Sequence, residues 1–136
     1  MAELLALDPH PEGGFYRETW RSKIRVEVAD GRERAAGTAI LFLLPEGAFS
    51  AWHRVASDEV WMHQQGAPLV LQLRDGTREW AVVLGPDVIA GQVLQAVVPA
   101  GVWQAARPLG GWALMGCTVA PGFEFSDFEM VPDPMS

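Results

Sequence analysis

Gly47–Gly66 reads GAFSAWHRVASDEVWMHQQG, and this stretch decides the fold. A second segment, Pro99–Gln104, reads PAGVWQ further along the chain. Both segments place polar side chains among apolar residues, His53 and Glu59 in the first and Gln104 in the second, and both contain glycine or proline positions that favour turns. A small β-barrel uses such spacing to bring polar side chains from separate strands into one interior pocket. The two segments therefore predict a barrel with a polar interior site.

The composition fits one domain that spans residues 1–136. The 136 residues are 49% hydrophobic and 20% charged, which provides enough apolar surface to offset the entropy lost on folding. A net charge of −7, with acidic residues interleaved among the basic ones, argues against nucleic acid as a partner. The single cysteine, Cys117, lies in an apolar run and has no partner for an internal disulfide, so we expect an inert core residue.

Turn-forming dipeptides divide the chain into short, evenly spaced candidate strands. Three of them predict type I′ hairpins, at Asp30-Gly31, Asp75-Gly76 and Gly110-Gly111, because each supplies the positive φ angles that this turn requires. Further breaks occur at glycine and proline pairs, and no long segment has a helical apolar face. The pattern predicts an all-β fold, either an antiparallel barrel or a jelly roll.

The ends of the chain carry weaker signals. Ala2–Leu7 is predicted to form a short helix or arm that stops at Asp8-Pro9, and His10, before a proline, is expected in a turn. Residues 131–136 are predicted to be a loose tail. The N-terminus lacks the features of a signal peptide, and no apolar stretch has membrane-spanning length. We therefore expect a cytoplasmic protein with no membrane partner.

The first segment is similar to the sequence motif of the cupins, which orders Gly, His, a second His, Glu and Gly at fixed spacing. Four residues fall in register with that motif: Gly47, His53, Glu59 and Gly66. Val55 stands where the second histidine of the motif is expected, and Gln104 stands where its later histidine is expected. The scaffold of the motif is retained here while its set of metal ligands is reduced.

Six motifs follow one another along nearly the whole chain. They are HPEGGFYRET from His10, TAILFLL from Thr38, WHR from Trp52, SDEVW from Ser57, VPAGVWQAA from Val98 and GCTVAPGFEF from Gly116. Together they resemble a family of single-domain bacterial and fungal cupins of uncharacterised function, the DUF985 or Cupin_5 family. The resemblance implies a cupin double-stranded β-helix, which is a jelly-roll barrel. It also implies a homodimer, and a deep pocket similar to those of sugar epimerase and isomerase cupins. Met62-His63-Gln64 departs from the family pattern, so a substrate of a relative is not carried over to this chain.

Three residues are candidates for catalysis: His53, Glu59 and Tyr16. Histidine titrates near neutral pH, so His53 is suited to move a proton once Glu59 orients it. Tyr16 is the only tyrosine in the chain and is the candidate to return the proton from the opposite side. The alternative interpretation of Tyr16 is a structural role, in which its side chain packs the N-terminal strand.

Four residues are candidates for substrate binding: Arg17, Trp61, His63 and Gln104. Arg17 or Gln104 is expected to hold a developing oxyanion. Trp61 shares strand parity with Glu59, which favours it as an aromatic wall of the pocket. His63 has the same parity. The alternative interpretation of His63 is a histidine on the protein surface.

The leading hypothesis is a protein that binds a small molecule, carbohydrate-like or a keto compound, and epimerises or isomerises it by acid and base chemistry. No cofactor is predicted. A divalent metal on His53, Glu59 and Gln104 is the basis of an alternative, a metal-dependent oxygenase or lyase, although a neutral amide is a poor ligand for such ions. The third hypothesis is a binding or sensor module without catalysis.

Overall fold

The computed structural model describes residues 1–130, and strands dominate it. Thirteen strands lie in that range: β1 (Asp8–Pro9), β2 (Phe15–Arg21), β3 (Arg25–Glu27), β4 (Glu33–Ala35), β5 (Thr38–Leu44), β6 (Ser50–Val55), β7 (Asp58–Gly66), β8 (Leu69–Asp75), β9 (Arg78–Leu84), β10 (Gln95–Val98), β11 (Trp103–Pro108), β12 (Ala113–Ala120) and β13 (Phe128–Met130). Two 3-10 turns, Ala29–Gly31 and Phe125–Asp127, are the helical segments of this range. Neither they nor any other part of it forms a helix that could cross a membrane.

The strands form two large sheets and a hairpin. The order is β1-β2-β5-β12-β7-β10 in the six-stranded sheet and β13-β6-β11-β8-β9 in the five-stranded sheet, while β3 pairs with β4. Neighbouring strands of the sheets are antiparallel. The predicted all-β jelly roll is confirmed.

The core lies between the two sheets and follows the two-residue period of the strands. On β8, Leu69, Leu71 and Leu73 are at most 2% exposed, whereas Val70 and Gln72 between them are half-buried. Each buried leucine contributes about 1.5–3 kcal/mol relative to an exposed one. The leucines of β8 face buried apolar residues of the opposite sheet in one cluster.

The same alternation turns three polar side chains inward. His53 on β6, Glu59 on β7 and Gln104 on β11 are 2%, 7% and 0% exposed. Gln104 lies directly opposite His53 in the five-stranded sheet, while Glu59 comes from the other sheet. The two sequence segments thus meet in the interior of the sandwich.

Two of the three predicted hairpins form, although without the predicted type I′ turns. β3 and β4 pair on either side of Asp30-Gly31, but Glu27 pairs with Glu33 and the longer loop holds the 3-10 turn Ala29–Gly31. β8 and β9 pair on either side of Asp75-Gly76, where Gly76 has a positive φ and the residues beside it do not. In the second hairpin Asp75 pairs with Arg78, so the loop residues are Gly76 and Thr77, one position later than predicted.

The hairpin predicted at Gly110-Gly111 is wrong. β11 belongs to the five-stranded sheet and β12 to the six-stranded sheet, so this connection crosses from one sheet to the other. Gly110 has the positive φ of 80° that its residue type allows. A glycine pair specifies a backbone turn, however, and does not decide whether the flanking strands pair with each other.

The N-terminal segment forms hydrogen-bonded turns where a helix was predicted over Ala2–Leu7. Ala6 has a φ of 56°, which interrupts a right-handed helix, and the amide of Leu7 bonds the carbonyl of Ala2. So short a helix is marginal without packing, and here packing favours the turns. Leu7 contacts the outer face of the six-stranded sheet at Leu43 and Leu114. The tail predicted at residues 131–136 lies outside the described residues.

A tight loop between β1 and β2 carries Glu12 into the interior. The amide of Gly13 bonds the carbonyl of His10, and the amide of His10 bonds the carbonyl of Gly14. Gly13 has a φ of 113°, and a Cβ at this position would overlap the carbonyl oxygen of Phe49. A glycine is therefore required where the loop passes β6.

Substitution of Gly13 by Ala is expected to lower the free energy of unfolding by more than about 2 kcal/mol, because it adds a steric overlap to the strain of a positive φ. Urea denaturation of the purified variant measures this loss. The control is Gly76→Ala, since Gly76 has a φ of 63° but nothing within 4 Å of its Cβ position. The control should lose about 1 kcal/mol. Equal losses in the two variants would contradict a close approach at Gly13.

Candidate functional site

A small cavity lies between the two sheets, bordered by the inward polar side chains. Its volume is about 30 Å³, which is room for about two water molecules. Acidic and imidazole groups line it together with aromatic and thiol side chains, among them Glu12, Tyr16, His53, Glu59, Cys117 and Phe123. No lysine or arginine lines this cavity among the described residues.

Glu12 lies between two imidazole rings. Its Oε1 is 3.3 Å from Nδ1 of His10, and its Oε2 is 3.4 Å from Nε2 of His53. The hydroxyl of Ser50 also donates a hydrogen bond to Oε2. Glu12 is 9% exposed, so these neighbours replace water around its carboxyl group.

The backbone fixes the tautomer of both rings. Nδ1 of His10 accepts the amide hydrogen of Glu12 at 3.1 Å, so it presents a lone pair. Nδ1 of His53 lies 2.7 Å from the carbonyl oxygen of Ala51 and must donate to it, which leaves a lone pair on Nε2 of the neutral ring. Each oxygen of Glu12 therefore lies near an unprotonated nitrogen, and a proton on the Glu12 carboxyl group relieves the repulsion at the oxygen that carries it.

The protonation states agree with that geometry. Burial raises the pKa of Glu12 to about 8, although the bond from Ser50 opposes the shift. Burial lowers the pKa of His10 to about 4, and the charge of His53 adds to the effect. Burial also lowers the pKa of His53. Near neutral pH the group holds a neutral carboxylic acid between neutral imidazoles.

Glu59 borders the same cavity and is anchored by a fixed amide. The indole N–H of Trp61 donates to Oε1 of Gln104 at 2.8 Å, and Nε2 of Gln104 donates to Oε1 of Glu59 at 2.9 Å. An indole N–H is only a donor, so it determines which way the amide points. Burial raises the pKa of Glu59 to about 7, with His53 and Gln104 acting in the opposite direction.

Cys117 adjoins Glu59 in the wall of the cavity. Burial, followed by the negative charges of Glu59 and Glu12, raises the pKa of its thiol well above the usual value. The side chain is 2% exposed, as the sequence predicted for a core cysteine. A thiol held in this way stays protonated and is a weak nucleophile.

Three phenylalanines near the end of the described chain cover the cavity. This aromatic cover consists of Phe123, Phe125 and Phe128. Phe128 stacks on the ring of His53 with 5.5 Å between the centroids, and Phe125 lies edge-on to Phe123 at 4.9 Å. The cover therefore separates the acidic and imidazole groups from solvent.

Ion pairs hold the segment that carries the aromatic cover. Nε of Arg34 donates to Oδ2 of Asp127 at 2.8 Å, and a second nitrogen of the same guanidinium donates to Oδ1 at 2.9 Å. Arg34, followed by Arg32, lowers the pKa of Asp127. The amide of Phe123 also bonds the hydroxyl of Thr38 at 3.0 Å.

The site residues predicted from the sequence fall into three groups: one borders the cavity, one supports Glu59 from behind, and one lies away from the cavity. Tyr16, His53 and Glu59 border the cavity. Trp61 and Gln104 lie behind Glu59 and support it through the hydrogen bonds described above, so aromatic rings other than that of Trp61 form the wall.

Arg17 and His63 do not border the cavity. Arg17 is exposed on β2, and the strand alternation directs its side chain away from that of Tyr16. His63 is half-buried four residues along β7 from Glu59, and its Nε2 lies 3.0 Å from the carbonyl oxygen of Ala67. His53 is also oriented differently than predicted, because Ala51 rather than Glu59 fixes its ring.

Sequence reasoning missed Glu12 and Ser50, and placed His10 only in a turn. His10 does lie in a turn, yet its ring is 9% exposed and borders the cavity. The loop from His10 to Gly14 has no strand parity from which its burial could be predicted. The available signal was the Gly13-Gly14 pair, which marks an unusual backbone path beside an acidic residue.

The donors expected for a cupin metal do not fit together here. Val55 offers no ligand atom, and the oxygen of Gln104 accepts from Trp61 while its NH₂ group faces Glu59. Within residues 1–130 no group of three or more His, Cys, Asp or Glu side chains has the arrangement of a metal site. An amide that presents hydrogens to its neighbour is not a cation ligand.

Comparison with known proteins agrees with the fold and the motifs. The family model described as Cupin superfamily (DUF985) matches residues 1–131. The chain belongs to this family.

Three similar proteins show how far the match extends along each chain. An uncharacterised yeast protein, YML079W of Saccharomyces cerevisiae, is 30% identical over 135 residues that cover 87% of this chain and 67% of the yeast protein. A hypothetical protein from Leishmania major has a solved structure with a TM-score of 0.89 and 35% identity, covering 96% of this chain and 84% of that chain. Protein SO0799 from Shewanella oneidensis has a TM-score of 0.87 and 35% identity, covering 96% and 81%.

The buried acid predicts a loss of stability above neutral pH. Because the pKa of Glu12 is about 8 in the folded protein and 4.5 when unperturbed, the folded state binds the extra proton between these values, and stability falls as pH rises toward 8. From pH 6.5 to 8.5 Glu12 should account for a loss of about 2 kcal/mol. Glu59, with a pKa of about 7, adds to the loss below pH 7.

Urea unfolding of the parent and of Glu12→Gln at pH 6.5 and 8.5 measures the contribution of Glu12. The glutamine variant should lose much less stability across this interval. Glu129→Gln is the control, since Glu129 is an exposed partner of Arg54 and should leave the pH dependence unchanged. If Glu12→Gln loses as much stability between pH 6.5 and 8.5 as the parent does, another group takes up the proton.

Proposed function

We propose that this protein binds a small, uncharged, polar molecule in the interior of the barrel and moves a proton on it, as epimerases and isomerases do. The observation that supports this proposal is the pair of buried carboxyl groups, Glu12 and Glu59, that line one cavity with His53 and have pKa values of about 8 and about 7. Groups that titrate near the working pH are the most effective general acids and bases. Perturbed carboxyl groups in a covered cavity favour a functional site.

The charges around the cavity favour an uncharged ligand. Near pH 7 Glu12 and the imidazoles of His10 and His53 are neutral, and no lysine or arginine lines the cavity among the described residues. A buried anion without a cationic partner pays a large desolvation penalty. Hydroxyl and carbonyl groups, in contrast, find donors and acceptors here, which fits a carbohydrate-like or keto compound.

The chemistry follows from the different states of the two carboxyl groups. In its ionised form Glu59 accepts a proton from the carbon beside a carbonyl group, while protonated Glu12 gives its proton to the carbonyl oxygen. The products of this step are an enediol, a neutral Glu59 and an ionised Glu12. In an isomerisation Glu59 returns its proton to the neighbouring carbon, and the hydroxyl proton goes back to Glu12. In an epimerisation Tyr16 gives a proton to the opposite face of the carbon, and proton exchange with solvent then returns Tyr16 and Glu59 to their starting states.

Three further side chains support this cycle. His53 faces Glu12 with a lone pair at 3.4 Å and keeps the proton of the acid in place. Gln104 holds Glu59 by a hydrogen bond of 2.9 Å. Tyr16 borders the same cavity and is the candidate to return a proton from the opposite side.

Exchange of carbon-bound hydrogen for deuterium tests the proposal without knowledge of the natural substrate. The protein is incubated in D₂O with neutral aldoses and ketoses of increasing size, beginning with dihydroxyacetone, and loss of the proton signal is followed by NMR. Exchange above the buffer rate is expected with at least one sugar. Glu59→Gln should lower that rate by about 10²-fold or more, because it removes the base and keeps the shape.

Two comparisons make the exchange experiment decisive. Glu129→Gln, on the surface, should exchange at the parent rate. The sugar acids that correspond to active sugars should exchange poorly, because their charge is not accommodated. Exchange that survives in Glu59→Gln would remove this residue from the role of base.

The size of the cavity favours a second candidate, a binding or sensor module without catalysis. A volume of about 30 Å³ is far below the roughly 300 Å³ or more of most ligand pockets. Thermal stabilisation by a neutral sugar, with no deuterium exchange for any member of the panel, would favour this candidate over an enzyme.

A further inference from the structure

Beyond the inner cavity lies a second cavity that shares part of its wall. The outer cavity has a volume of about 130 Å³. Three residues border both cavities: Tyr16, Ile40 and Phe123. These side chains therefore form the partition between the buried carboxyl groups and the space nearer to solvent.

We propose that the inner and outer cavities are the two halves of one ligand site, and that Phe123 divides them and sets the size of the ligand that reaches Glu59 and Glu12. The proposal extends the function proposed above, since it names the path by which a molecule larger than two waters enters. Phe123 belongs to a segment that is attached by a few polar contacts. Displacement of its ring requires no change in either large sheet.

The outer cavity differs from the inner one in chemistry. Arg21 lines it and donates to Glu18 at 2.7 Å, to Glu124 at 3.1 Å and to the carbonyl oxygen of Phe123 at 3.0 Å. One guanidinium between two carboxylates gives this half a polar, hydrogen-bonding rim with no spare positive charge. Such a rim suits the hydroxyl groups of a ligand whose uncharged reactive end lies in the inner half.

The contacts of the segment explain why the partition is closed at rest and can open. Phe123 is half-buried, and its amide bonds Thr38 while its carbonyl oxygen bonds Arg21. These bonds fix the backbone and leave the ring held only by packing, mainly against Phe125 and Phe128. Rotation of one ring is a small local motion, in contrast to the opening of a barrel.

The single cysteine reports on this partition without any ligand or turnover. Cys117 lies in the wall of the inner cavity and not in that of the outer one. A small neutral reagent, methyl methanethiosulfonate, must therefore pass Phe123 to reach it by the proposed path. Mass spectrometry of the intact protein gives the labelling rate.

Phe123→Ala is expected to label at Cys117 at least about tenfold faster than the parent protein, and Phe123→Leu at an intermediate rate. Phe49→Ala is the matched control, because Phe49 is an exposed phenylalanine that borders neither cavity and should leave the rate near that of the parent. Urea unfolding of each variant gives the fraction of labelling that passes through global unfolding, and this part is subtracted.

The result that overturns the proposal is an equal corrected rate for Phe123→Ala, Phe123→Leu and Phe49→Ala. Faster labelling in Phe49→Ala alone would also overturn it, since it would place the entrance elsewhere. Because the measurement uses only the thiol, a failure of the deuterium exchange experiment leaves it valid, and the two proposals can fail separately.

Discussion

The proton on Glu12 is the constraint on which the site depends. Nδ1 of His10, which accepts the backbone amide of Glu12, and Nε2 of His53 are unprotonated and lie 3.3 and 3.4 Å from the two oxygens of this carboxyl group. An ionised Glu12 would place negative charge beside both nitrogens in a buried position. The fold thus stores a removable proton in its interior, and removal of that proton costs stability. A group that holds a proton against burial is also one that can give it to a ligand.

Strand parity explains which part of the site could be predicted from the sequence. His53, Glu59 and Gln104 lie on regular strands, so a side-chain period of two carries them inward once the barrel is assumed. Glu12 and His10 lie in a loop whose path depends on Gly13 and its passage beside Phe49, and no periodic signal reports such a path. Arg17 was misplaced because its neighbour Tyr16, on the other face of β2, is the one that reaches the interior.

The pairing of strands shows the same division between local and long-range information. Asp75-Gly76 joins two strands that pair, whereas Gly110-Gly111 joins two strands from different sheets, although both dipeptides allow a tight turn. Partner choice is decided by which apolar faces the two sheets bury against each other. That choice involves residues distant in sequence, such as the leucines of β8 and their neighbours in the core. Turn chemistry alone could not have distinguished the two cases.

Gln104 shows how one position of the scaffold changes the chemistry of the barrel. A histidine here would present a nitrogen lone pair to the cavity, which together with His53 and Glu59 would attract a cation. The amide instead presents hydrogens to Glu59, because Trp61 donates to its oxygen and fixes its orientation. Burial raises the pKa of Glu59 to about 7, and the hydrogen bond from this neutral amide offsets only part of the shift. The amide that disfavours a metal therefore leaves a buried carboxyl group that exchanges protons near neutral pH.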